Sequence, residues 1–427
     1  MAKLNLEHIA KIEGHAKLHV KIARGKVEKA ELTVVEGARF FEGILKDKKY
    51  NDLSHISSRI CGVCSVVHTL ASVNAIENAF GVTVTPQTKL LRELLNIGGI
   101  IQSHILHLYF LTLPDYAGLG SALGLASKNP ALIERALRLK RLGNHLVLTV
   151  AGRDVHPIAC VVGGFSRTPD GQKMAEILEE LKKCKQDAVE TVKMFMNLKY
   201  PDFTKETPHF ALTGNNYFYS DKLVRCEGGT CFETKDYASH FKEYLREGST
   251  AEFATQEGKS YFVGSLARVC NNIELLSSEA QQYARKIVEN KANPFMNIPA
   301  QALEVLEGIN RAIVIISNMS LVQEQPVEFT IKPCECGGVS AIEAPRGILF
   351  HEYKFDTAGN CTFANITTPT TQNLQHIEES IKEYLQEILG RGPDEIKQEI
   401  EKLIRAYDPC ISCSTHFLEL DWEEEPQ

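Results

Sequence analysis

Hydrophobic and polar residues alternate along "HAKLHVKIA" and again along "KVEKAELTVVEG", with Arg24-Gly25 between the two stretches. A period of two on both arms with a turn between them predicts a β-hairpin. A similar pattern, "GILFHEYKFDTAGNCTFANITTP", follows "PCECGG" and has Gly359-Asn360 between its arms. Small antiparallel sheets are therefore expected near both ends of the chain.

Most of the chain between these hairpins has apolar residues at helical spacing. One helix is predicted in "CGVCSVVHTLASVNAIENAFG", which Gly81 ends, and a second runs from Pro86 to Pro114. More helices are predicted over 129–153 and 171–199, in "ARVCNNIELLSSEAQQYARKIVEN" and "PAQALEVLEGINRAIVIISNM", and in a pair before "AYDPCISC". Residues 200–265 are mixed, with short strand-like pieces such as "YFYSDKLV". The pattern predicts a predominantly helical α+β fold, with a core bundle of long helices and small peripheral antiparallel sheets.

The organisation of the chain favours one body over residues 1–427, since it has no internal repeat, low-complexity tract or long linker. Within that body we expect an N-terminal hairpin region over 1–50, a mainly helical bundle over 51–330 and a strand-rich segment over 331–416. A net charge of −7 with scattered basic residues argues against a nucleic-acid groove. The chain has no stretch of about 18 uncharged apolar residues, so no membrane span is predicted. Its start, "MAKLNLEHIAKIEG", does not have the pattern of a secretory signal. Export together with a partner stays open.

Twelve cysteines are too few for a disulfide scaffold in a chain of 427 residues. Four of them form two Cys-x-x-Cys pairs, in "RICGVCSVVH" and in "DPCISCSTH". Two such pairs most often form a tetrahedral zinc site. Six others belong to no close pair, and we interpret them as buried apolar residues or incidental surface thiols: Cys160, Cys184, Cys226, Cys231, Cys270 and Cys361.

The surroundings of the two pairs weaken the zinc interpretation. The pairs lie hundreds of residues apart, whereas zinc ribbons separate theirs by about 15–20 residues. Cys61 and Cys64 follow Arg59 and precede a long helix, whose N-terminal N–H groups and dipole favour thiolates. The second pair follows Asp408-Pro409, which makes its approach rigid.

"RICGVCSVVH" together with "DPCISCSTH" closely resembles the two metal-binding signatures of nickel–iron hydrogenase large subunits. Five shorter elements of that family are also present and occur in the expected order along the chain: "KIEGH", "RFFEG", "SHILHLY", "EAPRG" and "TPTTQN". The resemblance covers nearly the whole chain. It implies the hydrogenase large-subunit fold and an oxidoreductase that cleaves H2 reversibly and heterolytically into protons and electrons.

The resemblance also implies roles for individual residues around a nickel–iron centre. Cys61 and Cys410 would be terminal nickel ligands, while Cys64 and Cys413 would bridge nickel to an iron that carries carbon monoxide and cyanide. Glu13 matches the glutamate that relays protons from Cys410, and we expect it to be buried. Without the family, a surface glutamate at a strand end would be the simpler interpretation.

Further residues match groups that surround the metals. Arg346, preceded by Pro345, would donate to a cyanide nitrogen, and Asp408 would hold its guanidinium by an ion pair. Thr370 matches the hydroxyl that binds the second cyanide. His68 is expected to donate to a bridging sulfur, although a core histidine is nearly as good an interpretation.

A second metal and a cleavable tail complete the site that the resemblance implies. Glu42 and His416 match ligands of Mg2+ (or Fe2+), and a maturation endopeptidase would remove residues 417–427. One departure is Ser103, which stands where many members of the family have an aspartate. Cys334 and Cys336 are extra, and we interpret them as incidental thiols in a tight turn, with binding at a partner interface as the alternative.

The resemblance implies partners as well. Apart from the two pairs assigned to nickel, the chain has no motif for an iron–sulfur cluster, so electrons would leave through a partner. By resemblance this is a small subunit that bears iron–sulfur clusters and packs against the face holding the Cys61 motif. The chain looks most like the soluble cytoplasmic group, whose further subunits carry electrons to NAD(P), deazaflavin, ferredoxin or heterodisulfide. Two alternatives remain: a scaffold subunit like those of respiratory complex I, and a structural zinc protein.

Overall fold

The computed structural model describes residues 2–6, 9–34, 37, 40–220, 222–229, 231–331 and 335–415. Arg39, Cys334, His416 and the tail 417–427 lie outside the described residues. The helices are α1 (Phe41–Leu45), α2 (Tyr50–Ser57), α3 (Ser65–Phe80), α4 (Pro86–Ile105), α5 (Leu113–Tyr116), α6 (Ala122–Lys128), α7 (Pro130–Ala151), α8 (Gly171–Met196), α9 (Tyr237–His240), α10 (Ser265–Asn272), α11 (Ser278–Val288), α12 (Asn297–Asn318), α13 (Pro369–Ile388) and α14 (Pro393–Ala406). The strands are β1 (Ala2–Leu6), β2 (Ala16–Ala23), β3 (Lys26–Val34), β4 (Cys160–Val161), β5 (Gly164–Phe165), β6 (Phe210–Thr213), β7 (Leu223–Cys226), β8 (Cys231–Glu233), β9 (Phe241–Leu245), β10 (Glu252–Gln256), β11 (Cys336–Ala344), β12 (Gly347–Phe355) and β13 (Cys361–Thr367).

A bundle of four long helices, α4, α7, α8 and α12, forms the centre of the fold. Helices α4 and α7 approach closely because each presents a glycine to the other. A Cβ atom at Gly98 would lie 2.8 Å from Val147 Cγ2, and one at Gly143 would lie 2.8 Å from the backbone nitrogen of Gln102. The predicted fold class, a long-helix bundle with small peripheral sheets, is confirmed.

The helical run from Pro86 extends further than predicted, because Pro114 does not end it. A π-helical segment, Leu106–Thr112, follows α4 and leads into α5, where Pro114 occupies the first turn and its missing N–H is tolerated. By length and composition, Pro86–Tyr116 is the one run in the described residues that could cross a membrane. Since 83% of its most apolar window is buried inside the fold, it matches the central helix of a bundle.

The sheets are small and antiparallel. Both predicted hairpins are confirmed: β2–β3 turns at Arg24-Gly25 and carries β1 on its outer edge, while β12–β13 turns near Gly359 and pairs with β11. Two predictions need correction. Only the last two residues of "YFYSDKLV" belong to β7, and "ARVCNNIELLSSEAQQYARKIVEN" is divided into α10 and α11 by a 3-10 turn at Ile273–Leu275.

The packing of sheets on helices brings the two ends of the chain together. Helix α3 packs against β11 and β12, and α13 packs against β3 and β10. Near the N-terminus Glu13 forms an isolated parallel bridge with Cys410, near the C-terminus. Segments that are far apart in sequence therefore meet at the starts of α3 and α13.

We predict that Gly338→Ala destabilises the fold by about 2 kcal/mol or more, because overpacking displaces β11 from α3. A Cβ atom at Gly338 would lie 2.1 Å from the carbonyl oxygen of Ala75 and 2.4 Å from the nitrogen of Ala79. Thermal unfolding measures the loss. The control is Gly171→Ala at the start of α8, where a Cβ meets nothing within 4 Å. Equal unfolding temperatures for the two variants would contradict the close packing of β11 on α3.

Candidate metal centre

The sulfur atoms of Cys61, Cys64, Cys410 and Cys413 all lie within 4.8 Å of one another. The Sγ atoms of Cys61 and Cys410 are 3.4 Å apart, and those of Cys410 and Cys413 are 2.9 Å apart. All four side chains are buried, and none forms a disulfide. Four thiols from both ends of the chain therefore surround one point, the arrangement that a shared soft metal ion requires.

The first pair is positioned by the start of α3. Cys61 has an extended backbone after the 3-10 turn Ser58–Ile60, and Cys64 is the N-cap residue of α3. Val66, Val67 and Leu70 in the first turns of α3 are buried, so the helix is anchored in the core. The position of Cys64 as N-cap residue places the pair at the N-terminal end of the α3 dipole, which favours negative charge.

The second pair is positioned by a left-handed residue at the end of α14. Asp408 has φ 51°, a left-handed conformation that aspartate adopts more readily than most residues. The chain then pairs with the N-terminal segment, since the Ile411 N–H donates to the carbonyl of Glu13 at 3.0 Å. The 3-10 turn Ile411–Ser414 carries Cys413 back towards Cys410.

The four thiols do not ionise equally easily. Hydrogen bonds from Cys410, Cys413 and Cys64 lower the pKa of the Cys61 thiol well below its usual value, whereas burial raises the pKa of Cys410. One thiolate is thus favoured by its neighbours, but ionising all four in a buried space requires positive charge. The donor set and its burial fit a metal held by thiolates.

Arg346 lies at the β11–β12 turn with its guanidinium against the sulfurs. Its Nη1 donates to Cys64 Sγ and to Ser103 Oγ, both at 3.4 Å. Its Nη2 donates to Asp408 Oδ1 at 2.9 Å, and its Nε donates to the Asp408 carbonyl at 2.6 Å. Gln301 donates to the other carboxylate oxygen of Asp408 at 3.1 Å. The expected Arg346–Asp408 pair is therefore present, and a serine hydroxyl occupies the position beside it.

Thr370 and Glu13 contact the Cys410 segment from two sides. The hydroxyl oxygen of Thr370, in the first turn of α13, accepts from the Cys410 N–H at 3.0 Å. Glu13 Oε2 accepts from the Ser412 N–H at 2.9 Å and lies 3.2 Å from Cys410 Sγ, so the thiol can donate to the carboxylate. The expectation that Glu13 is buried is wrong for this chain, where it is half-buried because the N-terminal segment runs along the surface.

His68 stands one turn into α3, behind the second pair. Its Nε2 is 3.9 Å from Cys413 Sγ, and its Nδ1 shares a hydrogen bond of 3.1 Å with His351 Nε2. His351 Nδ1 in turn is 2.6 Å from the Tyr353 hydroxyl. This chain of hydrogen bonds orients the imidazole ring towards the sulfur.

The other expected site residues lie outside the sulfur cluster. The carbonyl of Pro345 accepts from Arg268 Nη2 at 3.0 Å. Glu42, on α1, is buried in a separate cleft that Lys46 and Asn365 also line, and it accepts from the Ile366 N–H at 2.8 Å. His416 and the tail 417–427 lie outside the described residues.

Arg268, a buried residue of α10 that was not predicted from the sequence, supports the Arg346 turn. Its guanidinium donates to the carbonyls of Ala344 and Pro345 at 2.7 and 3.0 Å. It also forms ion pairs with Glu304 at 2.7 Å and with Glu343 at 2.9 Å. Burial alone would raise the pKa of Glu304, but Arg268 and His104 together lower it, so the carboxylate stays ionised. The only signal in the sequence for this buried ion pair was a charged residue within each of two predicted helices, Arg268 in α10 and Glu304 in α12.

Fold and site together define a metalloprotein whose centre is built from two Cys-x-x-Cys pairs. The family profile described as nickel-dependent hydrogenase matches residues 39–135 and 272–416. The chain is 35% identical to sulfhydrogenase 1 subunit alpha of Pyrococcus furiosus, over 98% of both chains. It is 32% identical to sulfhydrogenase 2 subunit alpha of the same organism, over 98% of this chain and 100% of the other. The fold is that of a solved NAD+-reducing [NiFe]-hydrogenase chain, with a TM-score of 0.87 at 22% identity, over 97% of this chain and 100% of that one.

The chain therefore belongs to the nickel-dependent hydrogenase family. It is a large, catalytic subunit of the nickel–iron type and an oxidoreductase, and its four-cysteine cluster fits the metal site of that class.

We predict that Arg268→Met lowers stability by about 3–5 kcal/mol, because it leaves two buried carboxylates, Glu304 and Glu343, without their cation. The matched control is Arg138→Met, since Arg138 pairs with Asp187 on the surface and its loss is expected to cost about 1 kcal/mol or less. Thermal unfolding of both variants measures the difference. Similar losses would show that the Arg268 network contributes no more than a surface pair.

Proposed function

We propose that this subunit cleaves H2 reversibly and heterolytically at a nickel–iron centre held by Cys61, Cys64, Cys410 and Cys413. The observation that carries the proposal is the convergence of four buried sulfurs from both chain ends within 4.8 Å. Thiolates are soft donors that suit nickel and iron. When bound, the centre would supply the H2-splitting and electron-accepting chemistry, while the chain supplies orientation and proton movement.

In this proposal the iron carries carbon monoxide and cyanide, and the chain holds those ligands. A small pocket beside the sulfurs has apolar walls from Val67, Leu349 and Pro369, and Arg346 and Thr370 supply hydrogen-bonding groups to it. Apolar walls suit carbon monoxide, and the two donors suit cyanide nitrogens. Pro345 restrains the backbone before Arg346, and Asp408 holds the guanidinium through its ion pair.

Glu13 receives the proton that leaves the centre. Its Oε2 lies 3.2 Å from Cys410 Sγ, within reach of a thiol proton. Because Glu13 is half-buried, a proton on its carboxyl group can continue to the surface of the chain. His68 donates to Cys413 and tunes that sulfur without taking part in the transfer.

A second site and a processing step are also proposed on the resemblance. Glu42 and His416 would bind Mg2+ (or Fe2+) together with carbonyl oxygens and waters, and the burial of the Glu42 carboxylate is consistent with a ligand role. A maturation endopeptidase would remove residues 417–427 after nickel insertion and so free the terminal carboxylate.

Electrons leave through a small subunit that bears iron–sulfur clusters. The surface next to Cys61 supports this, since Gly62 and Arg59 are exposed there, and His156 joins that segment to the exposed apolar side chains of Val155 and Ile158. We propose that further flavin-, NAD(P)- or ferredoxin-linked subunits carry the electrons to a soluble acceptor in the cytoplasm. A similar fold occurs in an NAD+-reducing enzyme, and relatives at 35% and 32% identity are sulfhydrogenase subunits.

Metal analysis and infrared spectroscopy of the purified complex test the centre. We predict nickel and iron together, with bands from carbon monoxide and cyanide, and loss of nickel and of H2-dependent dye reduction in Cys410→Ser. Cys184→Ser, on the half-buried face of α8, is the matched control and should keep both. Zinc alone would indicate a structural zinc protein, and no metal would indicate a scaffold subunit.

We predict that Glu13→Gln lowers H2 oxidation and hydrogen–deuterium exchange by about 10²-fold or more, because glutamine cannot carry the proton. The amide oxygen can still accept from the Ser412 N–H, so nickel content and infrared bands should be unchanged. Glu28→Gln, at an exposed position in β3, is the control and should keep full activity. Full activity in Glu13→Gln would remove Glu13 from the proton path.

A further inference from the structure

Three potential metal ligands meet on the far side of α10 from the Arg346 turn. They come from separate elements: His209 just before β6, Glu227 in the turn after β7, and Cys270 in α10. One ligand atom of each lies within 4.8 Å of the other two. From the sequence, Cys270 is interpreted as a buried apolar residue or an incidental surface thiol, because nothing there relates it to residues 209 and 227.

The histidine of this group is buried without a hydrogen bond for its ring. His209 and Cys270 are only 6% and 7% exposed. The His209 ring packs edge-on against Phe262, and within the described chain neither ring nitrogen forms a hydrogen bond. The ring nitrogen near Glu227 and Cys270 is therefore available to a ligand, since no protein group in the described chain occupies it.

The carboxylate of the group can be released from its present partner. Glu227 pairs with Lys291 at 2.9 Å, and the two side chains are 32% and 39% exposed. Ion pairs at such exposure contribute about 1 kcal/mol or less, so a divalent cation can displace the ammonium. Lys291 would then turn into solvent.

We propose that His209, Glu227 and Cys270 form a zinc site separate from the four-cysteine centre. Imidazole nitrogen, thiolate sulfur and carboxylate oxygen are the donor types that Zn2+ takes, and three protein ligands leave one position for water. One thiolate and one carboxylate neutralise the ion, so the partly buried site carries no net charge. A small inward movement of the side chains brings the donors to bonding distance.

The ordinary protonation states are compatible with this site. Burial lowers the pKa of His209 to about 4, so the ring is neutral at pH 7, the form that binds metals. Burial raises the pKa of Cys270 to about 12, so the thiol is protonated until Zn2+ binds and takes the place of its proton.

The position of the site would let a bound ion join two elements of the fold. A zinc ion there would tie the β6–β7–β8 sheet to α10, two residues from Arg268. Because Arg268 holds the turn that carries Arg346, fixing α10 also fixes the support of the four-cysteine centre. The site does not depend on the proposed function, since none of its ligands contacts the four sulfurs.

The test measures zinc in the nickel-loaded complex after exposure to Zn2+ and gel filtration. The proposal predicts one more equivalent of zinc in the unsubstituted protein than in Cys270→Ser or Glu227→Gln, with nickel content equal in all three. Glu227→Gln changes a partly exposed side chain and therefore keeps the fold. Cys184→Ser is the matched thiol control and should keep the zinc. Equal zinc in the unsubstituted protein and in both variants would overturn the proposal.

The zinc K-edge absorption spectrum separates this site from zinc held in place of nickel. The proposal predicts one sulfur neighbour at about 2.3 Å and nitrogen or oxygen neighbours at about 2.0–2.2 Å. A shell of four sulfurs would assign the zinc to the four-cysteine centre and contradict the proposal. Zinc loading should also raise the unfolding temperature of the unsubstituted protein but not that of Cys270→Ser.

Discussion

The contact between the Glu13 and Cys410 segments is the interaction on which the metal centre depends. One backbone hydrogen bond, from Ile411 to Glu13, and one carboxylate oxygen that meets both Cys410 Sγ and the Ser412 N–H hold the chain ends together. Four buried thiols at this distance cannot all ionise without a cation. Metal binding would therefore be coupled to folding of the two ends. Folding brings the four sulfurs together, and the metal ion supplies the positive charge that lets them ionise.

Buried ion pairs determine where the groups around the centre stand. Arg346 is held by Asp408, and the turn that carries Arg346 is held by Arg268 together with Glu304 and Glu343. Replacing such pairs by apolar residues often costs little stability, but apolar side chains cannot fix a guanidinium against a sulfur. We infer that these ion pairs serve to position the guanidinium groups, since each pair holds the N–H donors of its arginine in one direction.

The proposed zinc site would also join segments that are distant in sequence beside a buried helix. It lies on α10, the helix that also carries Arg268, and it would join that helix to a small peripheral sheet. In both places short loops from distant parts of the chain provide ligands next to a buried helix, and at the proposed zinc site that helix also provides Cys270. The small sheets thus fix loops, and the bundle fixes the helices that those loops meet.

The sequence alone determined the long helices, the two hairpins and the two Cys-x-x-Cys pairs, because periodicity, turn residues and three-residue spacing are local properties. It also pointed to Glu13, Arg346, Thr370 and Asp408 through short motifs. It could not predict that Glu13 is half-buried, that Arg268 supports the Arg346 turn, or that Cys270 meets His209 and Glu227. Those facts depend on which surfaces pack together. Only the tertiary structure decides them, because contacts between distant segments leave no periodic trace in the chain.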